Sequence, residues 1–144
     1  MSGRIFRLSH RVTYSECTVG NHVYYARYLD LLEEARGEFF RSLGAPLLVL
    51  QQQDTLFPVV ETHLNFRAPA RYDEILNIDL WVPRIDRVRL HFAYRITNQA
   101  AKLILEGGTS HVCTTLSEKP KRLPGTLFDA LAPYSAGAPT SVES

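Results

Sequence analysis

This sequence of 144 residues has few cysteines, no marked excess of positive or negative charge, and no long apolar run. The two cysteines, Cys17 and Cys113, are too few for a disulfide framework or a zinc site, so we expect reduced thiols, no bound metal and a cytoplasmic location. Lysine and arginine number 16 against 15 acidic residues, and this balance indicates no nucleic-acid partner. No run of about 18 apolar residues occurs, so no integral membrane segment is expected. The segment 1–11 has scattered arginines and no apolar centre, unlike a signal peptide.

The apolar residues that are present, 45% of the chain, suffice for one domain with its own core. Apolar residues at even spacing predict a strand over 5–14, with His10 as a polar interruption of its apolar face. Apolar residues at steps of three and four then predict a helix from Tyr25 to Leu43, roughly 18 residues and about 27 Å long. Gly44 and Pro46 are typical of the end of such a helix.

Four later segments are rich in β-branched and aromatic residues and predict four more strands. These strands cover 59–66, 75–82, 88–97 and 102–116. Gly107 and Gly108, inside the last strand, indicate a bulge or a close approach of two backbones. The segment 47–53 is an ambiguous short helical piece, and a second short helix is predicted over 126–131.

The order of one strand, one long helix and four strands predicts the α+β class, with an antiparallel five-stranded sheet wrapped around the helix. One helix cannot cover a whole sheet, so we expect a second copy of the chain to complete the structure. We assign residues 1–134 to the single domain and residues 135–144 to a flexible C-terminal tail.

Several segments resemble, in the right order, the 4-hydroxybenzoyl-CoA thioesterase family, and in particular the bacterial acyl-CoA thioesterases associated with the Tol–Pal system. The segments are 12–29, 33–36, 41–44, 66–74, 106–113 and 119–124. The resemblance implies the hot-dog fold and a homodimer that pairs into a tetramer, with the site at the dimer interface. It also implies hydrolysis of an acyl-CoA or acyl-carrier-protein thioester, with CoA present only as part of the substrate and no separate cofactor.

Thioester hydrolysis needs one group that polarises the carbonyl and another that activates water. The resemblance assigns the first role to the backbone N–H of Tyr25, at a helix start where free amides and the helix dipole favour an oxyanion. It also implies an Asp at the position that Thr18 occupies. Threonine is no base near neutral pH, although its hydroxyl can position a water, so Thr18 departs from the loop-acid mechanism.

Three other residues are candidates for the missing chemistry. Glu33 lies on the helix, where a second branch of hot-dog thioesterases carries its acid, although an ion pair with Arg36 is the plainer interpretation. Thioesterases of enediyne polyketide pathways also lack the loop acid, and they resemble this chain at Thr18, Tyr28 and Arg36. There an arginine and polar groups hold the substrate. His22 is a candidate base, although a lone loop histidine is more often simply exposed.

Glu16, two residues before the missing acid, is a further candidate, with a surface carboxylate as the plainer interpretation. Cations at strand ends and near the C-terminus are candidates for the CoA phosphates. They include Arg87, Arg89, Lys121 and Arg122. Because the loop acid is absent, a non-hydrolytic hot-dog protein that binds an acyl thioester or a protein partner is the alternative function.

Overall fold

A computed structural model of the chain describes residues 3–135. The strands are β1 (Phe6–Arg11), β2 (Val59–Phe66), β3 (Ile75–Ile85), β4 (Arg89–Asn98) and β5 (Leu103–Val112). They form one antiparallel sheet in the order β1-β3-β4-β5-β2. The helices are α1 (Arg27–Ser42), α2 (Leu47–Gln52) and α3 (Gly125–Leu131), with 3₁₀ turns over Tyr14–Glu16 and Ala132–Ser135. The predicted tail, 135–144, lies outside the described residues except for Ser135.

Helix α1 packs on one face of this sheet and forms the centre of the core. The rings of Phe39 and Phe40 both lie 6.0 Å from the ring of Phe92 on β4. Alternate residues of β4 are buried against the helix, as the two-residue period of a strand requires. The predicted α+β architecture, a five-stranded antiparallel sheet around one long helix, is confirmed.

The helix begins two residues later than its apolar pattern predicted. The N–H of Arg27 donates to the carbonyl of Tyr24 at 2.8 Å, and the side chain of Tyr25 is 64% exposed. Leu29 is also exposed rather than part of the buried stripe. At the other end Gly44 adopts a left-handed conformation with φ +75°, which agrees with its predicted place beyond the helix.

Both glycines in β5 mark a close approach of backbones rather than a bulge. A Cβ on Gly107 would collide with the carbonyl oxygen of His63, and one on Gly108 would lie 2.8 Å from the carbonyl oxygen of Phe92. The pairing of β5 runs through both glycines without a register shift. The strand ends at Val112, short of the predicted 116.

Strand β2 lies at one edge of the sheet and pairs only with β5 within residues 3–135. Most of its side chains are exposed, and Phe66 is 50% exposed. The rings of Tyr25 and Phe66 lie 6.3 Å apart, so the exposed edge continues into the residues before α1. Across the described range, no helix has both the length and the apolar character needed to cross a membrane.

Candidate active site

A cavity of about 440 Å³, here called the α1 cavity, lies between α1, α2 and the segment that enters β2. Apolar side chains make up more than half of its lining residues: Phe40, Leu47, Leu56, Phe57, Pro58 and Val59. The residues with polar side chains are Glu33, Arg36, Gln51, Thr55 and His111. The fold therefore brings two predicted site residues, Glu33 and Arg36, to the same cavity.

Glu33 and Arg36 do not form the ion pair that their spacing allows. Across residues 3–135, no carboxylate oxygen lies within 4.0 Å of the Arg36 guanidinium. Instead, Nη1 of the half-buried Arg36 donates to the hydroxyl of Tyr94 at 3.0 Å. Glu33 is exposed. The structure thus leaves both charged groups available at the cavity.

Arg36 is the first member of a chain of hydrogen bonds that runs into the sheet. The hydroxyl of Tyr94 lies 2.6 Å from Oγ1 of Thr109, which in turn lies 2.8 Å from Nε2 of His111. Nδ1 of His111 lies 2.9 Å from the carbonyl oxygen of Phe57. Tyr94, Thr109 and His111 are each at most 3% exposed, so these hydrogen bonds replace those that water would make.

The groups at the two ends of this series of hydrogen bonds, Arg36 and the carbonyl of Phe57, determine the direction of every hydrogen bond in it. A carbonyl only accepts, so Nδ1 of His111 carries the proton that it donates to Phe57. Burial lowers the pKa of His111 to about 4, against the opposing effect of the Phe57 hydrogen bond and with a further lowering by the Arg36 charge. The ring is therefore neutral near pH 7 and Nε2 accepts. It follows that Thr109 donates to His111, Tyr94 donates to Thr109, and Arg36 donates to Tyr94.

The Thr18 loop is a tight turn on the surface. Gly20 and Asn21 have φ of +92° and +63°, and the N–H of Thr18 donates to the carbonyl of His22 at 2.8 Å. The Thr18 hydroxyl lies 3.3 Å from the carbonyl oxygens of both Val19 and His22. This hydroxyl therefore helps to close the turn, and it is exposed to water.

His22 contributes to that turn through its backbone, and its exposed side chain makes no hydrogen bond with the residues described. Tyr25 lies in the short segment between the turn and α1. Its backbone N–H has no acceptor in the described part of the chain, while its carbonyl accepts from the N–H of Tyr28 at 3.4 Å. Tyr28 itself is 3% exposed, and burial raises the pKa of its hydroxyl.

Glu16 is not the free surface carboxylate that its loop position suggested. Its Oε1 accepts from the N–H of Thr13 at 2.8 Å and lies 2.8 Å from Nε2 of His10. These hydrogen bonds lower the pKa of Glu16 although burial acts in the opposite direction. Glu34 of α1 lies 3.7 Å from the other nitrogen of His10. The cluster joins β1, the 3₁₀ turn and α1, and it positions the loop.

The four predicted phosphate-binding cations fall into two groups. Arg87 and Arg122 are both exposed and line one depression of about 340 Å³ beside α3, while Arg89 is exposed at the start of β4. Lys121 points elsewhere. Its ammonium donates at 3.1 Å to the carbonyl of Asp54 and at 3.1 Å to the hydroxyl of Thr55, after α2.

The hydrogen-bonded residues of β4 and β5 behind Arg36 are the polar groups that sequence reasoning missed, and His111 among them lines the α1 cavity. Thr109 and His111 share the face of β5 that also buries Leu105, and Cys113, just after the strand, is buried as well. Two polar residues at inward positions of an apolar strand were the available signal, since buried polar groups require partners. Over residues 3–135 no three His, Cys, Asp or Glu side chains form a cluster that could hold a metal ion.

The long helix, the five-stranded antiparallel sheet around it and the exposed edge strand define a hot-dog protein. A model of the thioesterase-like superfamily matches residues 12–131, and the chain belongs to that family. The predicted membership of the thioesterase-like hot-dog superfamily and the hot-dog fold are thus confirmed.

Individual relatives agree with this assignment. The acyl-CoA thioester hydrolase YbgC of Escherichia coli is 31% identical over 128 residues, which cover 88% of this chain and 96% of that protein. The crystal structure of a hypothetical protein from Thermus thermophilus is similar with a TM-score of 0.82 and 31% identity, over 91% of this chain and 98% of that one. A 1,4-dihydroxy-2-naphthoyl-CoA thioesterase from Synechocystis shares the fold, with a TM-score of 0.83 and 24% identity over 89% and 96% of the two chains.

Proposed function

We propose that this protein is an acyl-CoA thioesterase, in which water attacks the thioester carbonyl, the carbon–sulfur bond breaks, and the thiol leaves with a proton. The observation that carries the proposal is the α1 cavity, where an exposed carboxylate and a half-buried guanidinium meet an apolar pocket in a chain of this family. Such a pocket is suited to an acyl group, and the carboxylate is suited to the activation of a water molecule.

The thioester carbonyl is polarised by the backbone N–H of Tyr25. This N–H precedes α1, and no acceptor among the described residues occupies it. The positive end of the helix dipole lies at the same place and stabilises the oxyanion that forms as water attacks. The Tyr25 side chain has no chemical part in this step; it packs against Tyr24 at 4.9 Å between ring centroids.

Glu33 activates the attacking water. Glu33 is eight positions after Tyr25, and the six steps that lie within α1, from Arg27 to Glu33, alone rise about 9 Å along the helix. One protomer therefore does not bring both groups to a single carbonyl. We infer that the Tyr25 N–H of one protomer and the Glu33 carboxylate of its partner act on the same thioester.

The edge strand β2 is the surface that supports such a homodimer. Its backbone is unpaired on one side among residues 3–135, and an exposed edge of this kind favours pairing with a second copy. Val60 on β2 is 54% exposed, and Val59 on β2 also lines the α1 cavity, so pairing there covers apolar surface beside the site. Pairing of two dimers into a tetramer stays a proposal that the family resemblance supports.

Thr18 stands, on this proposal, where relatives of the Tol–Pal-associated type carry a loop acid, and its hydroxyl orients a water rather than removing a proton. His22 stays a candidate for the same task. CoA is held through its phosphates by Arg87 and Arg122, with Arg89 nearby on β4, and it enters only as part of the substrate. Acyl-carrier protein is an alternative thiol carrier. Both cysteines are free thiols, which supports a cytoplasmic location.

The test is thiol release by the purified protein from alkyl and aryl acyl-CoA esters and from acyl-carrier-protein esters. We expect a free thiol for every acid formed. If no thiol appears from any ester, hydrolysis is wrong, and the alternative of a non-hydrolytic binding protein gains support. Thr18→Asp separates the two: activity that appears only in this variant shows an intact loop in a wild-type protein that binds without cleaving.

A further inference from the structure

The Arg36 guanidinium has hydrogen-bonding capacity that the protein does not use. It carries five N–H donors, and the only hydrogen bond that it makes to the described residues is the one from Nη1 to Tyr94. No carboxylate oxygen among residues 3–135 lies within 4.0 Å of it, although the side chain is half-buried. A cation that is partly removed from water without an anion is costly, so a site of this kind favours a ligand with an acceptor.

Two neighbouring polar groups of the α1 cavity, His111 and Thr55, do not offer that ligand an equivalent contact. Both nitrogens of His111 are engaged, by Thr109 and by Phe57. The Thr55 hydroxyl accepts from Lys121 and lies 3.1 Å from the carbonyl oxygen of Gln53. Arg36 is the one cation among the lining residues, and most of the remaining lining is apolar.

We propose that Arg36, held in place by Tyr94, Thr109 and His111, anchors an acceptor oxygen on the acyl group, so that the protein prefers oxygen-bearing acyl thioesters to plain alkyl ones. This inference rests on the proposed function and names its substrate class. Arg36 is the residue that touches the substrate. Tyr94, Thr109 and His111 are positioning residues, which act through Arg36.

The direction of these hydrogen bonds explains how Tyr94 influences the preference for oxygen-bearing esters. Tyr94 accepts from Arg36 and donates to Thr109, so its hydroxyl oxygen is held at a fixed point beside the Arg36 guanidinium. A flexible arginine side chain loses much rotational freedom when it binds, and a fixed acceptor reduces that loss beforehand. In Tyr94→Phe, Thr109 still donates to His111, and the released Arg36 donor can turn to water. We therefore expect this variant to fold and to lose the preference.

The acceptor oxygen can belong to a keto group or to a carboxylate. A guanidinium binds both, and it binds a planar carboxylate with two hydrogen bonds. The exposed Glu33 carboxylate lines the same cavity and disfavours a second negative charge. The test therefore compares three CoA esters at several matched chain lengths: alkanoyl, oxoalkanoyl and ω-carboxyalkanoyl.

The measured quantity is the ratio of kcat/KM for an oxygen-bearing ester to kcat/KM for the alkanoyl ester of equal length. We expect a ratio of about ten to a hundred in the wild type for at least one oxygen-bearing series, the range of a hydrogen bond to a charged group. Arg36→Met and Tyr94→Phe should each lower the ratio, and the double variant should lower it no further than Arg36→Met alone. Arg41→Met, on the exposed face of α1, should keep the wild-type ratio.

A wild-type ratio near one at every chain length overturns the inference, as does an equal fall for both kinds of ester in Arg36→Met. A role of Tyr94 in packing alone would lower both rates together and would add to the effect of Arg36→Met. The same ratios are measured as Kd values by calorimetry, so a protein that binds without hydrolysing still tests the anchor. Absence of thiol release from every ester contradicts the proposed function, and the Kd ratios then decide the inference independently.

Discussion

The hydroxyl oxygen of Tyr94 on β4 lies 2.6 Å from Oγ1 of Thr109 on β5, and both residues are at most 3% exposed. Tyr94 pairs across the sheet with Gly107, which has no side chain, and Thr109 lies two residues further along the same strand. The contact joins Arg36 at the cavity to His111 inside the sheet. The polar groups behind the proposed site are thus satisfied by one another, which is what the interior of a stable domain requires.

Removal of the Thr109 hydroxyl should destabilise the fold. In Thr109→Val the buried Tyr94 donor loses its acceptor and Nε2 of His111 loses its donor, at about 1–3 kcal/mol for each unsatisfied group. Denaturant unfolding measures this loss, and Thr109→Ser should restore most of it. Thr97→Val on β4 is the matched control, since the Thr97 hydroxyl makes no hydrogen bond in the described range. A loss in Thr109→Val no larger than in this control contradicts the assigned hydrogen bonds.

Substitution of two glycines by alanine should have opposite effects on stability. In Gly107→Ala the new methyl group collides with the backbone of His63, so we expect a loss of several kcal/mol or a failure to fold. In Gly37→Ala, within α1, nothing lies within 4 Å of the added atom. Alanine there should stabilise the helix by about 0.5–1 kcal/mol. Thermal unfolding of the two variants checks both signs, and a well-folded Gly107→Ala protein would refute the close approach.

Burial of neutral His111 should make stability depend on pH. Its pKa is about 4 in the folded protein against 6.5 for an unperturbed histidine. Between these pH values the unfolded chain binds more protons than the folded protein, so the free energy of unfolding rises with pH. The contribution of His111 to stability is complete above about pH 6.5 and is lost as the pH falls to about 4. The loss for this group alone is on the order of 3 kcal/mol.

His111→Gln isolates that contribution. A glutamine offers an acceptor to Thr109 and a donor to the carbonyl of Phe57 but does not titrate. Unfolding measured from pH 7 to pH 4 should therefore show a smaller slope in His111→Gln than in the wild type, whereas His22→Gln in the exposed turn should keep the wild-type slope. Equal slopes in wild type and His111→Gln would show that His111 is not held neutral.

The predicted cations should separate by experiment into substrate-binding and structural groups. Arg87→Met and Arg122→Met should each raise KM for acyl-CoA several-fold, more strongly at low salt, with little change in stability. Lys121→Met should instead lower the free energy of unfolding, because its ammonium holds Asp54 and Thr55 after α2. Kinetics at two salt concentrations, together with denaturation, distinguish these outcomes. A KM for Arg87→Met and Arg122→Met equal to the wild-type value would remove both from the proposed CoA site.

The sequence was sufficient to predict the architecture because the residues that form the core recur with the periods of strands and helices. Alternating residues in the strands and steps of three and four in α1 predicted which faces are buried, and Gly44 marked the helix end. The start of α1 was misplaced because Tyr25 has the right spacing for the buried stripe but packs outside it, against Tyr24. Aromatic residues serve the core and an exposed edge equally well, so spacing alone does not separate the two.

The polar part of the site was predictable only for residues on one element. Glu33 and Arg36 share α1, and their convergence on one cavity follows from helical geometry. Tyr94 and His111 lie on different strands, and their connection to Arg36 depends on the register of β4 with β5 and on the angle at which α1 crosses the sheet. Neither quantity is contained in a local pattern. Lys121 is a second example. The sequence presents it as one of several cations near the C-terminus, whereas in the structure its ammonium donates to the carbonyl of Asp54 after α2.

The most direct test of the account compares kcat/KM for acyl-CoA hydrolysis, measured by thiol release, in the wild type, Glu33→Gln and Glu38→Gln. Glu38 lies on the same helix, beside Arg41 and 45% exposed, and does not line the α1 cavity. We predict that the wild type releases thiol, that Glu33→Gln is slower by about 10²- to 10⁴-fold, and that Glu38→Gln equals the wild type. Equal rates in the wild type and Glu33→Gln would contradict the assignment of the base and of the α1 cavity as the site of hydrolysis.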